Sequence, residues 1–199
     1  MIAAKLSSIG LSVEKVWSSS VAMGGIYAVG IHRLGPDNAT LSVHTKRGGA
    51  AAKAGHDLEL QVTSWQATLD LDAGSAELTA DATSLRVRKG SGGMQALGDE
   101  DKANIHQTID DEVLARQNVT FRSTRMERAE DGSRLSIEGD LTLAGTTQPI
   151  AFDVAVDDDG TLRASAVVTQ TRWGMKPYSA LFGALKVLDD VEVVLEGHL

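Results

Sequence analysis

Alternation of apolar and polar residues with a period of two runs through most of this chain. It constrains the fold more than any other feature. Leu41, Val43 and Thr45 fall on one face, with Ser42, His44 and Lys46 on the other. Such alternation marks strands with one buried and one solvated face. Leu58, Leu60 and Val62 repeat it, after which the apolar parity shifts to Trp65, Ala67, Leu69 and Leu71. That shift predicts a bulge or tight bend near Thr63 and Ser64. Further rows follow at Ala76, Leu78, Ala80 and Ala82, at Val119 and Phe121, and over residues 135–143, 150–156, 162–168 and 191–195. Asp131-Gly132, Ala144-Gly145 and Asp159-Gly160 supply turn signals between strands. The fold class expected is mainly β: an antiparallel barrel of about eight strands, closed because closure removes exposed edges.

One segment breaks the period. Within residues 99–116, Ile105, Ile109 and Val113 recur every four positions, which predicts one amphipathic α-helix starting at Asp99 or Asp101. Residues 179–185, after Pro177, predict a second short helix. The Gly-rich stretch 89–93 reads as a loop and lacks the strand–GxGxxG–helix context of a phosphate cradle.

Composition narrows the function. The chain holds 19 Lys and Arg against 27 Asp and Glu, a formal charge of −8. That balance argues against nucleic acid or an anionic membrane surface as a main partner. The absence of cysteine removes disulfides, thiolate catalysis and Cys-based metal centres. Residues 1–13 are only mildly apolar, and 16–31 are too short and too rich in Ser and Gly to span a bilayer. The expected location is therefore cytoplasmic, with export to the periplasm as the alternative. Residues 1–26 are expected to be an extension to one domain over 27–199.

Catalytic signals are sparse. His32, His44, His56, His106 and His198 are dispersed, and no HExxH, GxSxG or Walker pattern occurs. His56-Asp57, after Gly55 at the start of a strand, admits two readings: a metal or acid–base site at a barrel mouth, or a turn whose side chains hydrogen-bond the backbone. The second is preferred, because a lone His lacks partner ligands. The acidic runs 99–101 and 157–159 lack the calcium-loop alternation. No catalytic residue, metal or cofactor is expected.

A binding function fits better. The chain has only eight aromatics, three Trp, two Tyr and three Phe, although 42% of it is hydrophobic. The expected inward rows include Ala67, Ala76, Ala80, Ala82, Gly139, Ala164 and Ala166, which occupy little volume. An eight-stranded barrel so lined leaves an apolar channel, with aromatics towards its ends, and an apolar channel implies an apolar guest. A chain of fifteen to twenty carbons would gain on the order of 10 kcal/mol gross by burial there.

Longer motifs point the same way. Residues 75–87 (SAELTADATSLRV), 119–124 (VTFRST), 137–154 (IEGDLTLAGTTQPIAFDV) and 170–193 (QTRWGMKPYSALFGALKVLDDVEV) resemble, in this order, the YceI-like family of bacterial lipocalin-like lipid-binding barrels. The G-x-L-T-L-x-G-x-T-x-P run from Gly139 to Pro149 is the most specific element. The resemblance covers residues 40–199. It implies an extended barrel holding a polyisoprenoid or similar amphiphile, for sequestration or transport, and no catalysis. Thr169-Gln170 stands where many members have Asn-Arg, which bears on a head-group contact. The hydrocarbon is then expected along Leu60, Leu78, Phe121, Leu141, Phe152, Ala164 and Val193, with Trp173 and Tyr178 lining one mouth. The partner is an isoprenoid or other long-chain lipid, without stable membrane insertion, and a homodimer is an open arrangement. The runner-up is a small enzyme or metal-dependent protein of the same fold using His56 and Asp57.

Overall fold

The computed structural model describes residues 29–199. The expected extension 1–26, and the readings of targeting made on it, lie outside the described residues. In chain order the strands are β1 Ile31–Leu34, β2 Ala39–Thr45, β3 Arg47–Gly48, β4 His56–Val62, β5 Trp65–Asp70, β6 Ser75–Ala80 and β7 Leu85–Gly92. Helix α1, Asp99–Thr108, follows. Then come β8 Val119–Arg128, β9 Arg134–Leu143, β10 Thr146–Val156, β11 Thr161–Thr169, β12 Ser179–Ala180, β13 Leu185–Val187 and β14 Asp190–His198.

Eleven strands form one curled antiparallel sheet in the order β1-β5-β6-β8-β9-β10-β11-β14-β2-β4-β7. The class is as expected, but the strand count is higher than eight and the expected closure does not occur: β1 and β7 are the two ends of the sheet and do not pair with each other. The run β8–β11 is the meander that the parity predicts. The Ala144-Gly145 hairpin has positive φ at both positions, 45° and 78°, and pairs Leu143 with Thr146. That is the turn geometry whose twist suits a two-residue hairpin. The parity shift at Thr63-Ser64 is a bend between two strands rather than a bulge within one. β4 ends there, and β5 pairs with β1 and β6 instead.

Two expectations fail because tertiary pairing overrides local signal. The 89–93 stretch is largely strand, with His56–Leu58 of β4 facing Gly92–Gly90 of β7 across a register shift. The 179–185 stretch keeps only a one-turn 3-10 segment, Leu181–Gly183, at the tip of a hairpin, β12 and β13, which joins β3 in a separate three-stranded sheet. The 99–116 helix is correct in place but changes pitch. α1 gives way at Ile109 to a wider π turn over Ile109–Val113, and Ala115 and Arg116 stop it in left-handed conformations. In an ideal α-helix a four-residue spacing overshoots a full turn by about 40°. The wider turn counteracts that drift and keeps Ile105, Ile109 and Val113 on one wall.

The interior divides along its length. Leu34, Leu69, Leu135, Ile137, Val154 and Leu162 are buried and close-packed towards the end carrying the 129–133 and 157–160 turns. Towards the other end the sheet walls separate.

Candidate functional site

A cavity of about 740 Å³ occupies this second half. β2, β4, β6, β8, β9, β10, β11 and β14 supply its walls, together with α1 and the π turn. An apolar cavity of 150 Å³ holds one benzene, so this one has room for on the order of thirty carbons. Eight of the nine residues expected to meet a guest line it: Leu60, Leu78, Phe121, Leu141, Phe152, Ala164, Tyr178 and Val193.

Register explains why they converge. Leu78 of β6 faces Phe121 of β8, which faces Leu141 of β9. Ala166 of β11 faces Val193 of β14, which faces Val43 of β2, which faces Leu60 of β4. Each residue therefore stands on the concave side of the same sheet. Of the small residues, Ala80, Ala164 and Ala166 line the cavity. Ala67 and Ala76 pack against the core instead, and Ala82 is fully buried. Gly139 makes room for an aromatic: a Cβ there would lie 2.6 Å from the Phe121 ring. That ring contacts Phe152 with centroids 5.4 Å apart. Two phenylalanines thus stand on the wall itself rather than at the channel's ends.

Trp173 is the ninth residue, and it does not line the cavity. β10 and β11 pair only over Val154–Val156 and Leu162–Ala164, so their other halves part. The turn Gln170–Trp173 fills the gap. Trp173 is 1% exposed and its indole N–H donates to the Leu141 carbonyl at 2.8 Å. Arg172 stacks over the ring at 5.4 Å and donates to the Pro149 carbonyl at 3.4 Å. Gln170, standing where relatives were expected to carry Arg, donates to the Leu188 carbonyl at 3.0 Å. Parity indicates a strand face, but not that a following turn folds back into a split sheet.

The mouth carries the polar groups. His56 Nε2 lies 2.7 Å from the Gln95 carbonyl. Asp57 accepts the Arg47 backbone N–H at 2.9 Å and faces Lys46 and Arg47 at 3.9 and 4.0 Å. Both side chains fix backbone, as in the turn reading of this dipeptide. Among the described residues no three His, Asp or Glu side chains gather as a metal-binding set. The glycines of 90–93 form a bed here. A Cβ at Gly90, Gly92 or Gly93 would collide with Leu97, Arg47 or His56 respectively. That role was hidden in the sequence, where the run carries only a loop signal. Thr45 also lines the cavity, and its buried hydroxyl has no hydrogen-bond partner among the described residues.

α1 is tied to the sheet by one bond with a pH dependence. The Val87 N–H donates to His106 Nε2 at 2.9 Å, which requires that nitrogen to be unprotonated. Burial, aided by Arg86 and Lys102 and opposed by Asp110, holds the His106 pKa below its usual value. The unfolded chain then takes up this proton at higher pH than the folded one. The stabilisation is complete above the unfolded pKa of about 6.5 and is lost as pH falls through the folded pKa. On acidification from about pH 8 to pH 5 the wild type should lose Tm more steeply than His106→Gln. Parallel curves would show that this bond contributes nothing.

Comparison with known proteins bears on the fold and the family. Burkholderia cenocepacia BcnA has a crystal structure similar to this fold, with a TM-score of 0.58, 17% identity, and coverage of 79% of this chain and 94% of that one. The Campylobacter jejuni YCEI protein aligns with a TM-score of 0.39 and 15% identity over 100% of this chain and 99% of its own. No curated protein sequence matches the chain. The model of the YceI-like domain matches residues 34–199, and the chain belongs to that family.

Proposed function

We propose that this protein binds a polyisoprenoid or similar long-chain amphiphilic lipid in the cavity and sequesters or carries it, without catalysis. The observation that carries the reading is the shape and chemistry of the interior. It is about 740 Å³ in volume, walled mostly by aliphatic side chains, bounded by packed core residues and fringed by polar groups at the mouth. Empty apolar volume on this scale costs contacts that a hydrocarbon guest restores. The polar fringe, with Arg47, His56, Tyr178 and Lys186, suits a head group left at the mouth. The backbone bonds of His56 and Asp57 favour binding over the enzyme alternative.

Native mass spectrometry and solvent extraction of the purified protein test this. A stoichiometric lipid with a chain of about fifteen carbons or more is expected, consistent with the burial energy per methylene. Protein that carries no lipid and does not take up geranylgeraniol would sink the reading.

A further inference from the structure

We propose that the tip of the β12–β13 hairpin docks the protein onto a lipid bilayer bearing anionic phosphate head groups, bringing the cavity mouth against the membrane. At this tip Phe182 has a relative exposure of 113% and Leu181 of 60%. Both have positive φ, 55° and 52°, a region that bulky side chains avoid and that Asn or Gly accepts readily. Local stability therefore gives no reason for Phe at this position.

The tip is held out on a braced support. The Val187 N–H donates to the Tyr178 carbonyl at 2.9 Å, Ala51 N–H to Ala184 at 2.7 Å, and Leu188 N–H to Lys46 at 2.7 Å. Residues 46–56 and 173–188 build this small sheet and its turns. They contain Lys46 and Arg47, which face Asp57, and Lys53, Lys176 and Lys186, which make no ion pair among the described residues. Unpaired lysines on the small unit that carries a protruding Leu-Phe pair are the pattern that seats a protein in the head-group region. The overall negative charge opposes any less local adsorption. Tyr178, Leu185, Lys186 and Val187 of the same unit line the cavity, so the docked face and the mouth are continuous. Two side chains at a hairpin tip fall far short of the roughly 1,000 Å² that a stable protein interface needs. A bilayer needs no such area.

Loading of the cavity from the membrane rests on the lipid-binding reading above, whereas docking itself is measured separately. The test is flotation of the full chain with phosphatidylcholine vesicles containing phosphatidylglycerol, for wild type and Phe182→Asn. Asn suits the left-handed backbone, so the variant should melt no lower than wild type. Its vesicle-bound fraction should fall about tenfold, from the burial lost with one Phe, and higher salt should weaken wild-type binding. Geranylgeraniol delivered from micelles should bind both proteins equally, while uptake from vesicles slows in the variant. If wild type floats, the variant does not, and neither binds geranylgeraniol, docking stands and the lipid-binding reading falls. Wild type that stays in solution would overturn the proposal. So would a variant that floats like wild type, or one whose only change is loss of a dimer.

Discussion

Ala164→Phe is expected to abolish most lipid binding while leaving the fold intact. Ala164 sits on β11 between Val154 of β10 and Leu195 of β14 and lines the cavity. The substitution adds a ring to open space, so the overpacking penalty of a filled core does not apply. A guest losing only three methylenes of contact, at about 0.8 kcal/mol each, binds roughly fiftyfold more weakly. Titration with geranylgeraniol and thermal unfolding of the lipid-free proteins would read both effects. An affinity equal to wild type would place the hydrocarbon elsewhere. A collapse of Tm would show that this part of the interior has no room.

The second large effect concerns Trp173. As a mouth residue it would tolerate truncation with little loss of stability. As the buried plug of a split sheet it would not. Trp173→Ala should cost about 3–5 kcal/mol, the usual range for a large buried aromatic. In a chain of this size that lowers Tm by roughly 10 °C. Trp173→Phe keeps most of the volume and removes the bond to the Leu141 carbonyl, so its cost should be nearer 1 kcal/mol. Circular dichroism melts of the three proteins decide the matter. A near-neutral Trp173→Ala would return this residue to the surface.

The sequence revealed faces better than it revealed neighbours. Strict period-two rows such as 135–143 and 150–156, joined by turns with glycine at positive φ, make β8–β11 readable, because strand, turn and register there are all local. The same parity put Leu60, Leu78, Phe121 and Val193 on one wall, since a curled sheet has only one concave side. Pairings between distant segments were not legible. β2 with β14, β4 with β7, and β3 with β13 depend on the whole sheet and leave no mark in any short window. The mouth was obscured for a related reason. Its glycines matter for what packs on them, Arg47, His56 and Leu97, and an absent side chain does not name the group that fills its place. Trp173 was misplaced because alternation stops at the end of a strand and says nothing of where the next turn folds.

The pairing of β2 with β14 also bears on how the molecule assembles. Ala39 meets Gly197 and His44 meets Glu192, so β2, among the earliest strands of the sheet, waits for partners about 150 residues away. Contacts of such sequence separation form late and slowly. On the ribosome, β2 and β4 can pair with each other early, but β2's other edge stays open until the ribosome finishes β14. That interval exposes Leu41 and Val43 beside an unfilled edge, a state that invites association between nascent chains. The cavity is thus completed only once β14 has emerged, and a chaperone that shields β2 during synthesis would raise the yield of folded protein.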